Sequence, residues 1–241
     1  MDLSVIARNW RVLGQGFLVS VELFAVAVAG ALLLGILVGL GRLSSKPWVY
    51  YPVTVYVNIM RNIPLVLVIF WVYFILPLFR GTAAPPFVAA AIAFIIFEAT
   101  YYGEIIRAGF QISRGPMLAG LASGLTHWQT IRYILIPIGL RRVVPSLVTQ
   151  SIVMFQDTTL AYVIGLREFV RAAAAIDARE VRSLELYGFV GLVYFVICLT
   201  ASRMIHRLEA KGVGTRRAHR DKESDQALRP VHGAGQRLRG L

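Results

Sequence analysis

Cysteine is nearly absent. Cys198 is the single thiol in 241 residues, so no disulfide can form within the chain, and a small packed side chain is the reading it supports. The four histidines, His127, His206, His219 and His232, lack metal-ligand spacing, and no metal site or other cofactor is expected. No G-x-x-x-x-G-K-[ST] sequence occurs, which excludes ATP binding through a phosphate loop of this chain. No nucleophile–base pair supports an enzyme. There is also no internal repeat of the kind from which many self-sufficient secondary transporters are built. Acidic residues are few, 13 against 25 Lys and Arg, leaving a net charge of +12.

What is abundant is apolar. Hydrophobic residues make up 57% of the chain and mean hydropathy is +0.65, more than a soluble core needs. A helix needs about 20 apolar residues to cross a bilayer, and the runs predict an all-α, polytopic membrane protein. Five spans are expected, at about 19–40, 60–79, 87–107, 143–166 and 184–206. The stretch Pro47 to Met60, with Trp48, Tyr50, Tyr51 and Tyr56, reads as interfacial, because such rings favour headgroup depth. Ala25-Val26-Ala27 resembles a signal-peptide cleavage site, but the apolar run continues more than ten residues beyond it, so the helix is expected to stay as an anchor. Gly35 and Gly39 have the small-xxx-small spacing of close helix packing in lipid.

The distribution of charge decides between nucleic acid and membrane. Arg203, Arg207, Lys211, Arg216, Arg217, Arg220, Lys222, Arg229, Arg237 and Arg239 lie at or beyond the last span, beside four acids, and supply half the net charge. Lys and Arg near span ends set orientation. With the N-terminus outside, eighteen cations fall inside and seven outside, namely Arg8, Arg11, Arg80, Arg167, Arg171, Arg179 and Arg182. The expectation is a bilayer protein with no nucleic-acid partner and with its C-terminus in the cytoplasm. Residues 1–206 would form the membrane domain. From 207 to 241 the composition is too polar to offset the cost of ordering, which predicts a disordered basic tail.

Between the third and fourth runs lies a loop, about 110–137, that turns polar and Gly-rich. Pro116 suits the first position of a helix with Gly115 as its cap. That helix would place Met117, Leu121, Leu125 and Trp128 on one stripe, beside low relief from Ala119, Gly120, Ala122 and Gly124. Such a surface suits either a groove in a partner protein or the membrane interface.

Ionisable groups inside a span cost about 2.5 to 3.5 kcal/mol each on insertion scales, and so face a cavity or a partner. Glu98, Glu104 and Asp157 are the candidates. Glu104 is a turn from Arg107, where an ion pair and a functional role are both open. Glu98 shares a face with Tyr101 and suits either a pathway or an interhelical hydrogen bond. Gln150, Gln156, Asp157, Thr158 and Thr159 make the fourth run too polar for lipid, as in a broken helix lining a cavity.

Several separated motifs carry a resemblance. The run from Gly115-Pro116-Met117-Leu118-Ala119-Gly120-Leu121 through Gly124 and Trp128 to Ile136-Pro137 resembles the loop by which membrane subunits of bacterial ABC importers dock their ATPases. Arg61-Asn62-Ile63-Pro64-Leu65, the segment from Phe97 to Gly109, and Phe155-Gln156-Asp157-Thr158-Thr159-Leu160 are similar to the polar amino acid permeases, the histidine, glutamate, glutamine, arginine and opine family, and most resemble its glutamate/aspartate branch. The chain departs from the pattern at Leu118, where the family loop has glutamate, at Gly120 for alanine, and at Ile136 for leucine. Gln156 stands where related permeases often carry lysine. The resemblance implies a type I-like importer fold with a cytoplasmic coupling helix and a translocation path around Glu98, Tyr101, Gln150, Gln156, Asp157 and Thr158. It also implies a cytoplasmic ABC ATPase dimer, a periplasmic or extracellular amino-acid-binding protein, and a second, homologous or identical permease. Its substrate expectation is glutamate or aspartate, with glutamine or another polar amino acid as the alternative.

Overall fold

The computed structural model describes residues 4–111 and 114–227, with side chains described through Ile205 apart from Arg80 and Arg114. The described residues hold helices and no strand. In chain order these are α1 (Ser4–Arg8), α2 (Trp10–Arg42), α3 (Pro47–Arg61), α4 (Leu65–Arg80), α5 (Pro86–Phe110), α6 (Arg114–Ala122), α7 (His127–Thr130), a π-helical turn (Ile131–Leu135), α8 (Ile136–Asp157), a 3-10 turn (Thr158–Ile164), α9 (Phe169–Glu180) and α10 (Ser183–Ala227). The described residues fall into two units, divided between Leu199 and Thr200.

Three described helices are long and apolar enough to cross a bilayer: Trp10–Arg42, Pro86–Phe110 and Ser183–Ile205. The first begins nine residues earlier than the apolar run suggests. Between residues 47 and 79 the chain forms two helices, bent by 108° at the break between Arg61 and Leu65. Pro64 lies in that break with an extended backbone. Proline pushes the preceding residue away from helical geometry, which ends α3. The run expected at 143–166 is α-helical only to Asp157 and tightens into a 3-10 turn thereafter.

Small residues set the spacing of the central pair. A Cβ on Gly35 would lie 2.7 Å from the Cβ of Tyr102, and one on Gly39 would lie 3.0 Å from the carbonyl oxygen of Gly103. α2 and α5 therefore pack backbone to backbone along the Gly35/Gly39 face, where van der Waals contact replaces the hydrophobic effect that lipid does not supply. α8 meets the C-terminal end of α5 in the same way, with Phe110 filling the place that a side chain at Gly139 would need.

Two clusters form the interior of the first unit. One gathers Leu23, Ile69, Phe94, Tyr102 and Met154. The other joins Val5 and Leu13 to Phe155, Phe169, Ile176, Leu186 and Tyr194. The short α1 is thus seated by Val5, and Asn9 and Arg8 tie it to Glu180 on α9 at 2.7 and 3.1 Å.

α10 continues to Ala227, past residue 207 where composition ends the ordered chain. Ala, Arg, Lys, Glu and Gln are good helix formers without being hydrophobic, so polarity alone does not end a helix. Residues 228–241 of the expected tail lie outside the described residues.

Candidate functional site

The loop between α5 and α8 folds into a compact unit. Its helix is described from Arg114 onward, so Gly115 and Pro116 both lie within α6, in place of the expected Gly115 cap and Pro116 start. Proline is tolerated throughout a first turn because those N–H groups have no intrahelical acceptor. α6 ends in a Schellman motif. Gly124 N–H donates to the Leu121 carbonyl at 3.0 Å, Leu125 N–H donates to Gly120 at 3.2 Å, and Gly124 has φ +82°. That left-handed turn is why glycine stands at 124.

The chain restarts at once. Thr126 caps α7, its hydroxyl accepting from Gln129 N–H at 3.3 Å while Gln129 Oε1 accepts from Thr126 N–H at 2.9 Å. The expected continuous stripe of Met117, Leu121, Leu125 and Trp128 is therefore divided between two helices and their turn. The signal was present as Thr-x-x-Gln, the spacing of a capping box. Gly120 is buried, and a Cβ there would lie 2.5 Å from Thr130 Cγ2 and 3.0 Å from Ile134 Cδ1, so its small size seats α6 on the end of α7 and on the π-helical turn. That π turn ends two residues before Pro137, which lacks an N–H and would crowd a regular helix one turn earlier. Three large apolar side chains remain outward, Leu118 62% exposed, Trp128 66% and Tyr133 64%, beside exposed Ser123, His127, Gln129 and Arg132. Ala119 and Leu121 are also exposed, and Met117 is half-buried.

The interior polar residues are distributed over α5, α8 and the 3-10 turn. Glu98 is buried, and Gln150 Nε2 donates to its Oε2 at 2.9 Å. The other oxygen, Oε1, is buried without a hydrogen-bond partner. A second polar contact links the same helices four residues on, Tyr102 Oη to Ser151 Oγ at 2.7 Å. Asp157 is half-buried and within electrostatic range of Glu98. Tyr101 is half-buried, packed 5.4 Å from the Phe97 ring, with the Arg61 guanidinium 5.0 Å over its own ring. Gln156 is exposed, whereas Thr158 is fully buried and its hydroxyl donates to the Phe155 carbonyl. The structure brings Glu98 and Gln150 into contact and leaves Gln156 outward of them.

Glu104 is held by two arginines, Arg42 Nε at 2.7 Å and Arg107 Nε at 2.9 Å. Arg42 also donates to Thr54 of α3 and lies over the Tyr50 ring. This group joins α2, α3 and α5 at their shared end. Sequence spacing pointed to Arg107 alone; Arg42, 62 positions away, gives no local signal.

Glu168 was missed altogether. Its side chain is completely buried beyond the fourth run and caps α9, accepting from Val170 N–H at 2.9 Å and Arg171 N–H at 2.7 Å. Burial pushes its carboxyl up to about 7, against the opposing pull of those donors and of Ser20. An acid immediately before a helix is the available sequence signal.

Membrane-length helices, a polar seam between α5 and α8, and a compact loop joining those helices are the features shared with a class of membrane transport subunits. Over residues 31–213 the chain matches the family described as "Binding-protein-dependent transport system inner membrane component", and it belongs to that family. It is 42% identical over 218 residues to the glutamate/aspartate import permease protein GltK of Escherichia coli O6:H1, covering 87% of this chain and 97% of that protein. It is 35% identical over 212 residues to the glutamine transport system permease protein GlnP of Escherichia coli K12, with the same coverage of 87% and 97%. Among solved structures, an amino acid ABC transporter crystallised with histidines matches with a TM-score of 0.81 at 28% identity, over 88% of this chain and 99% of that one. The inward-facing methionine transporter MetNI shares the fold at 17% identity, with a TM-score of 0.63, over 82% of this chain and 96% of that one. The chain is thus an ABC importer permease of the inner membrane, a transport subunit of the amino-acid type.

Proposed function

We propose that this permease imports glutamate or aspartate and provides one half of the pore. The observation that carries the reading is the Glu98–Gln150 contact, a buried polar junction between α5 and α8 with one oxygen left open. Buried polar groups are normally satisfied, and an open one in a transport subunit marks a place where solute or water can act as partner. In this reading the route continues past Tyr101 and Asp157 to the exposed Gln156, with buried Thr158 shaping the turn behind it, and the Arg61 cation over Tyr101 suits a carboxylate cargo. The 42% identity to a glutamate/aspartate permease supports the substrate, and the 35% identity to a glutamine permease keeps glutamine as the second reading.

ATP hydrolysis belongs to a separate cytoplasmic ABC ATPase dimer, seated on Leu118, Leu121 and Trp128 and their small neighbours. A soluble amino-acid-binding protein delivers cargo from outside, and a second permease completes the pore. Five spans, with the N-terminus outside and residue 207 onward inside, agree with the eighteen-to-seven distribution of cations. Reporter fusions after Ala84, Gln111 and Lys211 test the topology; an outside signal at Lys211 rejects it. Uptake of labelled amino acids by the reconstituted complex tests the cargo. Import of arginine or histidine with glutamate and aspartate excluded rejects the acidic assignment.

A further inference from the structure

Residues 167–182 mix charge in sequence but sort it in space. All three carboxylates are engaged. Glu168 is buried as the cap of α9, Asp177 accepts from Ser183 Oγ at 2.7 Å, and Glu180 accepts from Arg8 and Asn9. All four arginines of the stretch, Arg167, Arg171, Arg179 and Arg182, are exposed. Arg171 lies over the Tyr162 ring at 5.8 Å, and Arg182 approaches Glu185 only to 3.9 Å. Among the described residues no carboxylate pairs with Arg167, Arg171 or Arg179.

On α9, Arg171, Ala175, Ala178 and Arg179 share one face by helical spacing, and all four are exposed. Two alanines between two arginines leave a flat, cationic shelf. It is held rigidly, because α9 seats Phe169, Ala173 and Ile176 in the core and is pinned to α1 through Glu180. Arg171 also lines an open depression with Tyr162, Val163 and Gly165, so the shelf adjoins the 3-10 turn that follows Gln156 and Asp157.

Four of the seven cations read as outside fall in these sixteen residues. Cations on that side run against the insertion bias, so nothing about membrane topology calls for them. The family is binding-protein-dependent by description, so its outer side must receive a soluble protein. We propose that the exposed face of α9, flanked by Arg167 and Arg182, is the platform on which an acidic face of the soluble substrate-binding protein docks. The inference rests on the reading that places residues 167–182 outside.

Two measurements separate the docking claim from that reading. The Ala175→Cys variant is probed in intact cells with a membrane-impermeant maleimide; the one native thiol, Cys198, is buried. Labelling is expected, and its absence overturns both the orientation and the platform. The complete transporter is then reconstituted in phosphatidylcholine vesicles and its binding protein titrated. R171E with R179E should raise the binding-protein concentration for half-maximal uptake about ten-fold at low salt and flatten its salt dependence, since exposed interface charges act chiefly on encounter. Uptake at saturating binding protein should stay near wild type. An unchanged half-maximal concentration, where the Ala175→Cys variant does label, overturns the platform alone. A charge effect seen only when anionic lipid is added assigns the arginines to headgroups and overturns it as well. R171Q with R179Q, expected to give a smaller shift, guards against poor insertion of the reversed pair. If neither pair inserts, the wild type decides, because a half-maximal concentration that does not rise with ionic strength rejects the proposal.

Discussion

Gln150 on α8 donates to Glu98 on α5 across 52 positions of sequence, and this bond leaves Glu98 Oε1 buried with no hydrogen-bond partner. The carboxyl is therefore positioned but not satisfied.

Gln150→Leu leaves both oxygens of Glu98 without a protein donor, and should destabilise the protein by about 1–3 kcal/mol. Glu98→Gln keeps the shape and one bond, so membrane levels should stay near normal while uptake falls. Thermal unfolding in detergent and initial uptake rates separate the two effects. Uptake of Glu98→Gln at wild-type rate would show that the site is structural only.

Leu118→Arg places charge on the exposed face of α6 without touching its packing. ATPase co-purification should fall at least ten-fold, on the order of 1.4 kcal/mol or more, with membrane levels unchanged. Gly124→Arg is the weaker probe, since φ +82° penalises any side chain by about 1–2 kcal/mol before a partner is considered. Gly124→Asn should cost less than Gly124→Ala, because asparagine tolerates that conformation. Equal ATPase recovery from Leu118→Arg and wild type rejects the docking face.

Glu168 makes stability depend on pH. Its folded carboxyl is raised from 4.5 to about 7, so the folded state holds the proton more tightly than the unfolded chain. The stability contributed is full below about 4.5 and is lost as pH rises through about 7. Glu168→Gln should flatten this part of the profile in thermal unfolding scans between those values. An identical slope in the variant rejects the assignment.

Val181 follows α9 in a left-handed conformation, φ +51°, with its side chain 82% exposed. A β-branched residue is poorly suited to that region. Val181→Gly or Val181→Asn should therefore stabilise by about 0.5–1 kcal/mol, read as a rise in unfolding temperature.

The class of fold was legible because length and hydropathy are local properties: 87–107 is the middle of α5, and 184–206 coincides with the apolar part of α10. Elements set by one residue's chemistry were less so. The break at Pro64 and the restart at Thr126 each had a signal, a proline and a Thr-x-x-Gln box, that apolar counting overrides. Glu98 was legible as a buried acid, but its partner was not, because α8 reaches it only through tertiary packing. Arg42 was invisible for the same reason, whereas Glu168 caps its own helix and carried a local signal that apolar counting passes over. Gly120 and Gly124 looked alike in sequence, yet one is small to admit Thr130 and the other is achiral to permit a turn.

The elbow between α3 and α4 has a mechanical consequence. At 1.5 Å per residue, helices of 15 and 16 residues reach about 22 and 24 Å, short of a hydrocarbon layer about 30 Å thick. Both arms carry outward apolar side chains, among them Val55 and Ile59 on α3 and Phe74, Leu78 and Phe79 on α4. If α4 alone faces acyl chains, with α3 at the interface, its shortfall is met by thinning of the bilayer, at fractions of a kcal/mol per Å. Lipid length then bears on the bend itself, because a thicker bilayer favours a straighter α3–α4 pair and a thinner one favours the 108° angle.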